Sequence, residues 1–212
     1  MTTINKTETI VLASRNKGKI REINQILDSV LPGIEVKGLD EFPEIGDIPE
    51  TGSTFEENAL IKARTVFENT GRTAIADDSG LVVPALGGAP GVYSARYDGE
   101  KATDQQNNDK LLREMQNLKG NDRKAVFVCV MAAISSDGRE LLVRGEWPGI
   151  IAFEPDGDKG FGYDPLFFDP VLQLRSAQMS PDQKNSRSHR GKALKKLAEK
   201  WEDFMSGKGK PA

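Results

Sequence analysis

One cysteine and one histidine occur in 212 residues, and these two scarcities remove much chemistry at once. A lone cysteine forms no intramolecular disulfide, and one Cys with one His assemble no Cys/His zinc site. Catalysis by a Cys–His couple is set aside for the same reason. Cys129 lies in the apolar run "AVFVCVMAAIS", where a thiol acts as a small core residue. No apolar run approaches the roughly 20 residues of a membrane-spanning helix, and "MTTINKTETIVLAS" has no signal-peptide apolar core. The expectation is a protein of the reducing cytoplasm with no membrane partner. An excess of one charge is missing too: 29 Lys+Arg against 32 Asp+Glu leave a net charge of −3. No global basic field is available to hold long nucleic acid, which leaves room only for a local basic pocket.

Hydrophobic residues make up 37% of the chain and charged residues 29%, enough apolar material for a core. The length suits one domain, or one domain with two lobes. We place it at residues 9–205, between tails at 1–8 and 206–212 that are expected to be disordered. Thr9 to Ser14 reads as a buried strand, and Ile20, Ile23, Ile26, Leu27 and Val30 then recur at helical spacing. "STFEENALIKARTVFENTG" is a helix with Thr54 and Glu57 at capping-box spacing and Gly71 just past its end. Thr103 to Leu118 predicts a further helix, and Ala193 to Phe204 a C-terminal one. "KAVFVCVMAAIS" predicts a central strand. "SSDGRE" turns it into "LLVRGEW" as a hairpin, and "GIIAFEP" follows as a separate short strand. Crossovers and a hairpin together indicate an α/β fold with a mixed β-sheet flanked by helices.

Four stretches carry chemistry. In "TAIADDSGLVV", Asp77, Asp78, Ser79 and Gly80 interrupt an apolar run. Taken alone, such residues predict a turn; the sharper reading is a catalytic or metal site at a strand end, since ionised carboxylates beside a core need a cation or hydrogen bonds. In "ASRNKGKIRE", Lys17 and Lys19 crowd the N-terminus of a helix, an arrangement that suits a bound anion. It is not a Walker loop, because the spacing fails. In "NSRSHRGKALKKL", Ser188 caps a helix that places His189 and Arg190 in its first turn, with Lys184 and Arg187 upstream. In "KGFGYDPLFF", Phe161 between glycines can offer a ring face to a flat ligand. Phosphates, a flat ring and a divalent metal describe a nucleoside triphosphate with magnesium.

"LASRNKGKIREI", "ETGSTFEENALIKA", "AIADDSGLVV", "LGGAPGVYSARY", "GFGYDPLFF" and "SHRGKALKKL" together resemble the inosine triphosphate pyrophosphatase family, in the family's order and from Ile10 to about Leu197. The resemblance implies an elongated two-lobed α/β fold with a central cleft. It implies hydrolysis of ITP, dITP and XTP to the monophosphate and pyrophosphate with Mg²⁺, and a homodimer. By motif, Ser14, Arg15, Asn16, Lys17, Gly18 and Lys19 would hold phosphates, and Asp78 would be the catalytic carboxylate, with Asp77 and Lys19 beside it. Ser79 would contact substrate. Phe161, Gly162, Tyr163 and Asp164, with Lys184, His189 and Arg190, would hold the nucleotide at its base end. Glu50 and Glu57 join Asp78 as acidic candidates near the metal. The first loop departs from the family's common Thr-Gly-Asn: Arg15 stands where a glycine is usual and either points outward or adds charge to the site.

Selectivity then requires donors near Lys184 and His189 for the keto oxygen of hypoxanthine or xanthine. Rejection of guanine falls to Asp164 or a nearby backbone carbonyl. Two other readings compete: a general or pyrimidine-directed nucleotide pyrophosphatase, and a non-catalytic nucleotide-binding or RNA-binding module.

Overall fold

The structure is a computed structural model that describes residues 8–207. The expected tails fall almost wholly outside those residues; within them, Glu8 already pairs in a strand and Ser206 ends a helix. Seven strands form one mixed sheet in the order β2-β1-β3-β4-β5-β6-β7. They are β1 (Glu8–Leu12), β2 (Ile34–Gly38), β3 (Ala74–Val82), β4 (Lys124–Ile134), β5 (Glu140–Ile151), β6 (Phe167–Asp169) and β7 (Leu174–Arg175). The helices are α1 (Lys17–Val30), α2 (Phe55–Thr70), α3 (Asp104–Glu114), α4 (Pro181–Arg187) and α5 (His189–Ser206). β2 and β3 flank β1 in parallel, with Ile10 opposite Val36 and Val11 opposite Ala74. β5, β6 and β7 follow one another antiparallel.

The chain divides into two compact units. Among the described residues, the first contains 8–78, Val130–Arg144 and 192–207; the second contains Ser79–Cys129 and Gly145–Gly191. In the first unit Ile10, Val11 and Leu12 are all buried, as are Ala74, Ile75 and Ala76. Consecutive strand residues point to opposite faces, so both faces are covered there, as parallel strands require. α1 buries Ile23, Ile26 and Leu27, and α5 buries Leu194 and Leu197. α2 buries Ala59, Ala63 and Val66; its N-terminus carries the full Thr54–Glu57 capping box, and Gly71 closes it at φ 62°, in the left-handed region.

In the second unit Phe127, Trp147 and Phe167 form an aromatic centre, with Phe167 4.5 Å from Phe127 and 4.8 Å from Trp147 between ring centroids. Such pairs add about 0.5–1.5 kcal/mol each beyond the area they bury. Leu81, Leu111, Met115 and Leu166 complete this core. Arg123 is buried with it and donates to the carbonyls of Met115 (2.9 Å), Ile151 (2.7 Å) and Ala152 (2.7 Å). Those acceptors satisfy a cation that burial would otherwise penalise.

Three expectations need correction. Asp77 to Gly80 form no turn: β3 runs unbroken through them, with both aspartates buried. β5 is likewise one strand through Pro148, so "GIIAFEP" is not a separate element. β6 begins to pair only at Ile150, leaving the proline outside that ladder. The helix expected to Leu118 ends at Glu114. β2, β6, β7 and α4 are short elements that periodicity did not reveal.

Candidate active site

Two groups of site residues emerge, one in each unit. In the first unit, β1 delivers the chain to Ser14, and the loop to Lys19 opens α1. Asn16 caps the helix: its side chain accepts from the Lys19 amide at 3.0 Å, while the Asn16 amide donates to the Ser14 hydroxyl at 3.2 Å. The Lys19 ammonium lies 3.3 Å from Oδ2 of Asp77. Asp78, the next residue of β3, has a different lysine. Lys62 Nζ donates to Oδ1 of Asp78 at 3.2 Å and to Oε1 of Glu50 at 2.6 Å. The alternating direction of strand side chains fits this division, one acid to each lysine.

Sequence reasoning missed Lys62. A signal was present: Asn58 and Lys62 occupy inward positions of α2, Asn58 three residues after Phe55, and Lys62 three after Ala59 and four before Val66. A lysine on an apolar stripe asks for a buried acid.

The electrostatics are unequal. Burial raises the Asp78 carboxyl above its ordinary value; Lys62 and Lys19 pull it down, Glu50 and Asp77 push it up, and the net direction is upward. Burial works to lower Lys62, but Asp78, Asp77 and Glu50 outweigh it, and its affinity for the proton rises. Lys62 therefore stays charged while Asp78 is poised. Among the described residues nothing hydrogen-bonds to Oδ2 of Asp78, although that atom is buried. A buried carboxylate oxygen left open is where a proton, a water or a hard cation can be received.

Glu57 has another task. Its Oε2 accepts from the Ser53 amide (2.6 Å), the Ser53 hydroxyl (2.8 Å) and the Thr54 amide (3.1 Å), all at the N-terminus of α2. These hydrogen bonds, led by the Ser53 hydroxyl, hold its carboxyl below the usual range. A lowered folded-state value contributes stability above the unfolded-state value that is lost as pH falls through the folded one. Glu57→Ala is therefore expected to lower the urea midpoint at pH 7. The difference from the parent protein should vanish as the pH falls below the carboxylate range; a deficit that persists there would count against the cap as its source.

In the second unit, Asp164 organises the "GFGYD" turn. It is buried, and Oδ2 accepts from the Phe161 amide at 2.9 Å and from Lys184 Nζ at 2.6 Å, while Oδ1 accepts from the Ser176 hydroxyl at 2.7 Å. Gly160 sits at φ 81°, and a Cβ there would come 2.0 Å from Oδ2 of Asp164. The turn thus needs glycine for both conformation and space. Both Asp164 oxygens are engaged within the protein, so this carboxylate holds the turn and is a poor candidate for reading a guanine amino group. Tyr163 is buried and donates to the Ser94 carbonyl at 2.8 Å. Two residues of α3, also missed from sequence, grip Gly162: its amide donates to Asp104 at 2.6 Å and its carbonyl accepts from Asn108 at 3.0 Å.

Phe161 is half-buried, unlike Tyr163 and Asp164. Lys184 Nζ lies 5.2 Å and Arg190 Cζ 5.8 Å from its ring centroid. Ser188 caps α5, accepting from the Gly191 amide at 3.0 Å, and so sets His189 and Arg190 in the first turn. His189 stacks on Phe127 at 4.8 Å, and Arg190 donates to the Ser79 hydroxyl at 3.2 Å. An aromatic face beside two cations can stack a flat ring, and the cations can donate to its oxygen atoms.

Residues 10–200 match the Ham1 family. The chain is 55% identical over 205 residues to the dITP/XTP pyrophosphatase of Nitratidesulfovibrio vulgaris, covering 94% of this chain and 98% of that protein. It is 47% identical over 201 residues to the dITP/XTP pyrophosphatase of Geobacillus kaustophilus, covering 95% and 98%. Among solved structures it is similar to the Staphylococcus aureus Ham1 protein, with a TM-score of 0.82 at 44% identity over 92% of this chain and 98% of that one. A HAM1 protein from Coxiella burnetii superposes with a TM-score of 0.83 at 44% identity, over 92% and 99%.

Proposed function

The chain belongs to the Ham1 family, and from that membership we propose that it hydrolyses non-canonical purine nucleoside triphosphates (dITP, ITP and XTP) to the monophosphate and pyrophosphate. The observation that carries the reading is Asp78: a buried carboxylate with one oxygen on Lys62 and the other open. A module that only bound nucleotides would gain nothing from that arrangement.

The reaction joins a water oxygen to the α-phosphorus and breaks the bond from that phosphorus to the bridging oxygen, releasing pyrophosphate. Asp78 orients the water and takes its proton; burial raises the proton affinity of this carboxyl, which favours that role. Lys62 holds Asp78 and Glu50 in place. Lys19 and Lys17, with the loop amides at the start of α1, carry the charge of the phosphates and the departing pyrophosphate. Asp77 keeps Lys19 aimed.

A magnesium ion fits the donor set, since Asp78 offers an open hard oxygen and Glu50 shares the same lysine. Among the described residues no three His, Cys, Asp or Glu side chains gather into a metal-binding group. That suits Mg²⁺, which takes one or two carboxylates and fills its shell with water and substrate phosphate. Asp78 and Glu50 would hold it; the capping task of Glu57 sets that residue aside. When bound, the ion supplies charge neutralisation and polarisation at the phosphates.

Phe161 stacks the base, and Lys184, His189 and Arg190 supply donors toward its keto oxygen; Ser79 contacts substrate. A homodimer, carried by the resemblance, and a cytoplasmic location, carried by the cysteine usage and the apolar patterning, accompany this reading. The test is a panel of dITP, XTP, GTP, ATP and dUTP with Mg²⁺, with the products identified. The expectation is pyrophosphate release from dITP and XTP at rates well above those from ATP and GTP, since a site built on hydrogen bonds rejects a wrong partner by up to ~10⁴–10⁵-fold. Equal rates across the panel would favour a general pyrophosphatase, and no release at all would leave a binding module.

A further inference from the structure

We infer that Arg15 is a positioning residue that ties the phosphate-binding loop to the segment carrying Glu50, so that seating a triphosphate and fixing Glu50 become one event. This rests on the assignment of residues 14–19 to the phosphates. Arg15 neither points away nor stays within its own loop. Its Nη1 donates to the Gly46 carbonyl at 3.1 Å, its Nη2 donates to the Ile45 carbonyl, and Nη1 lies 3.6 Å from Oδ1 of Asp47. The Asp47 carboxylate is fully exposed, so that ion pair adds little. The two carbonyl contacts are the specific part: a planar guanidinium grips successive carbonyls as a fork, which an ammonium cannot.

Residues 46–52 have no regular secondary structure. A side chain from elsewhere holds each end. Arg15 grips 45 and 46 beside the buried Ile45, and Asn58 of α2 accepts from the Gly52 amide at 2.8 Å. Glu50 lies between these anchors and reaches Lys62. Pro49 stiffens the approach. Removing Arg15 takes two hydrogen bonds from the start of the segment that carries Glu50.

Coupling of this kind is reciprocal: whatever orders residues 14–19 must favour the held form of 46–51, and the reverse. The test uses inorganic triphosphate as the probe and hydrogen exchange as the readout, on the full chain and on Arg15→Ala and Arg15→Lys. In the parent protein the probe should slow exchange at the amides of 16–19 and also at 46–51. In Arg15→Ala the protection at 46–51 should be lost while some protection at 16–19 survives. The Mg²⁺ concentration for half-maximal dITP hydrolysis should rise several-fold, with little change in melting temperature, because Arg15 is exposed. Arg15→Lys should resemble Ala more than the parent. Protection at 46–51 that is the same in the parent and Arg15→Ala would overturn the tether alone. A probe that protects neither segment of the parent protein would overturn the phosphate assignment, and this inference with it.

Discussion

Asp78→Asn is expected to cut turnover of dITP by about 10²–10⁴-fold, the usual scale of general-base assistance, in a protein that melts no lower than the parent at pH 7. The two outcomes have one cause. Burial raises the Asp78 carboxyl, and Lys62 only partly offsets that. A group whose folded-state value is raised contributes stability in full below its unfolded-state value, and that contribution is lost as pH rises through the folded one. Above that folded-state value the parent carries an ionised group that the fold disfavours; the amide carries none. The melting-temperature advantage of the variant should shrink as the pH is lowered through the carboxylate range, because Asp78 then accepts a proton and the two proteins become alike. Steady-state kinetics and thermal melts from pH 4 to 8 check both halves. A folded variant with near-normal turnover would remove Asp78 from its role.

The second large effect is expected at Lys62→Met. The substitution keeps side-chain length and deletes the ammonium that Glu50 and Asp78 share at 2.6 Å and 3.2 Å. Removing one member of a buried ion pair costs about 3–5 kcal/mol, because the partner is left uncompensated. Lys62 itself has a raised proton affinity, so its contribution is complete at pH 7 and would be lost only in strong alkali. The deficit in the variant should narrow as pH falls and Asp78 takes up a proton. Activity should be lost as well, since both the base and the Glu50 segment lose their common anchor. Urea unfolding at pH 7 and pH 5 measures the effect; equal stability of variant and parent at pH 7 would mean that Lys62 carries no such load.

Glu50 and Glu57 show why a list of acidic residues in a motif is not yet a site. They stand seven positions apart and look alike in the chain. Glu57 follows Thr54 at capping-box spacing, and its carboxylate turns back onto Ser53 and Thr54. Glu50 precedes the helix on an irregular segment, and only the fold brings Lys62 to it. Asp164 makes the same point in the second unit: its place beside the aromatic turn suggested contact with the base, whereas Lys184, Ser176 and the Phe161 amide take up both of its oxygens.

The chain by itself determined what depends on neighbours along it. Helical spacing located α1, α2, α3 and α5, and the capping signals at Thr54, Gly71 and Ser188 are local hydrogen-bond chemistry that a sequence displays directly. The six motifs were enough for the family. The tertiary structure decided what depends on groups far apart in sequence. It made the Asp77–Asp78 stretch a strand rather than a turn, because turn propensity is a weak local preference, whereas Lys19 and Lys62 supply the opposing charges that let two acids be buried in the middle of a strand. It also chose between the two courses open to Arg15, sending its guanidinium to carbonyls thirty and thirty-one residues away. Pairings of that kind depend on which surfaces the folded backbone brings together, and spacing along the chain carries no record of them.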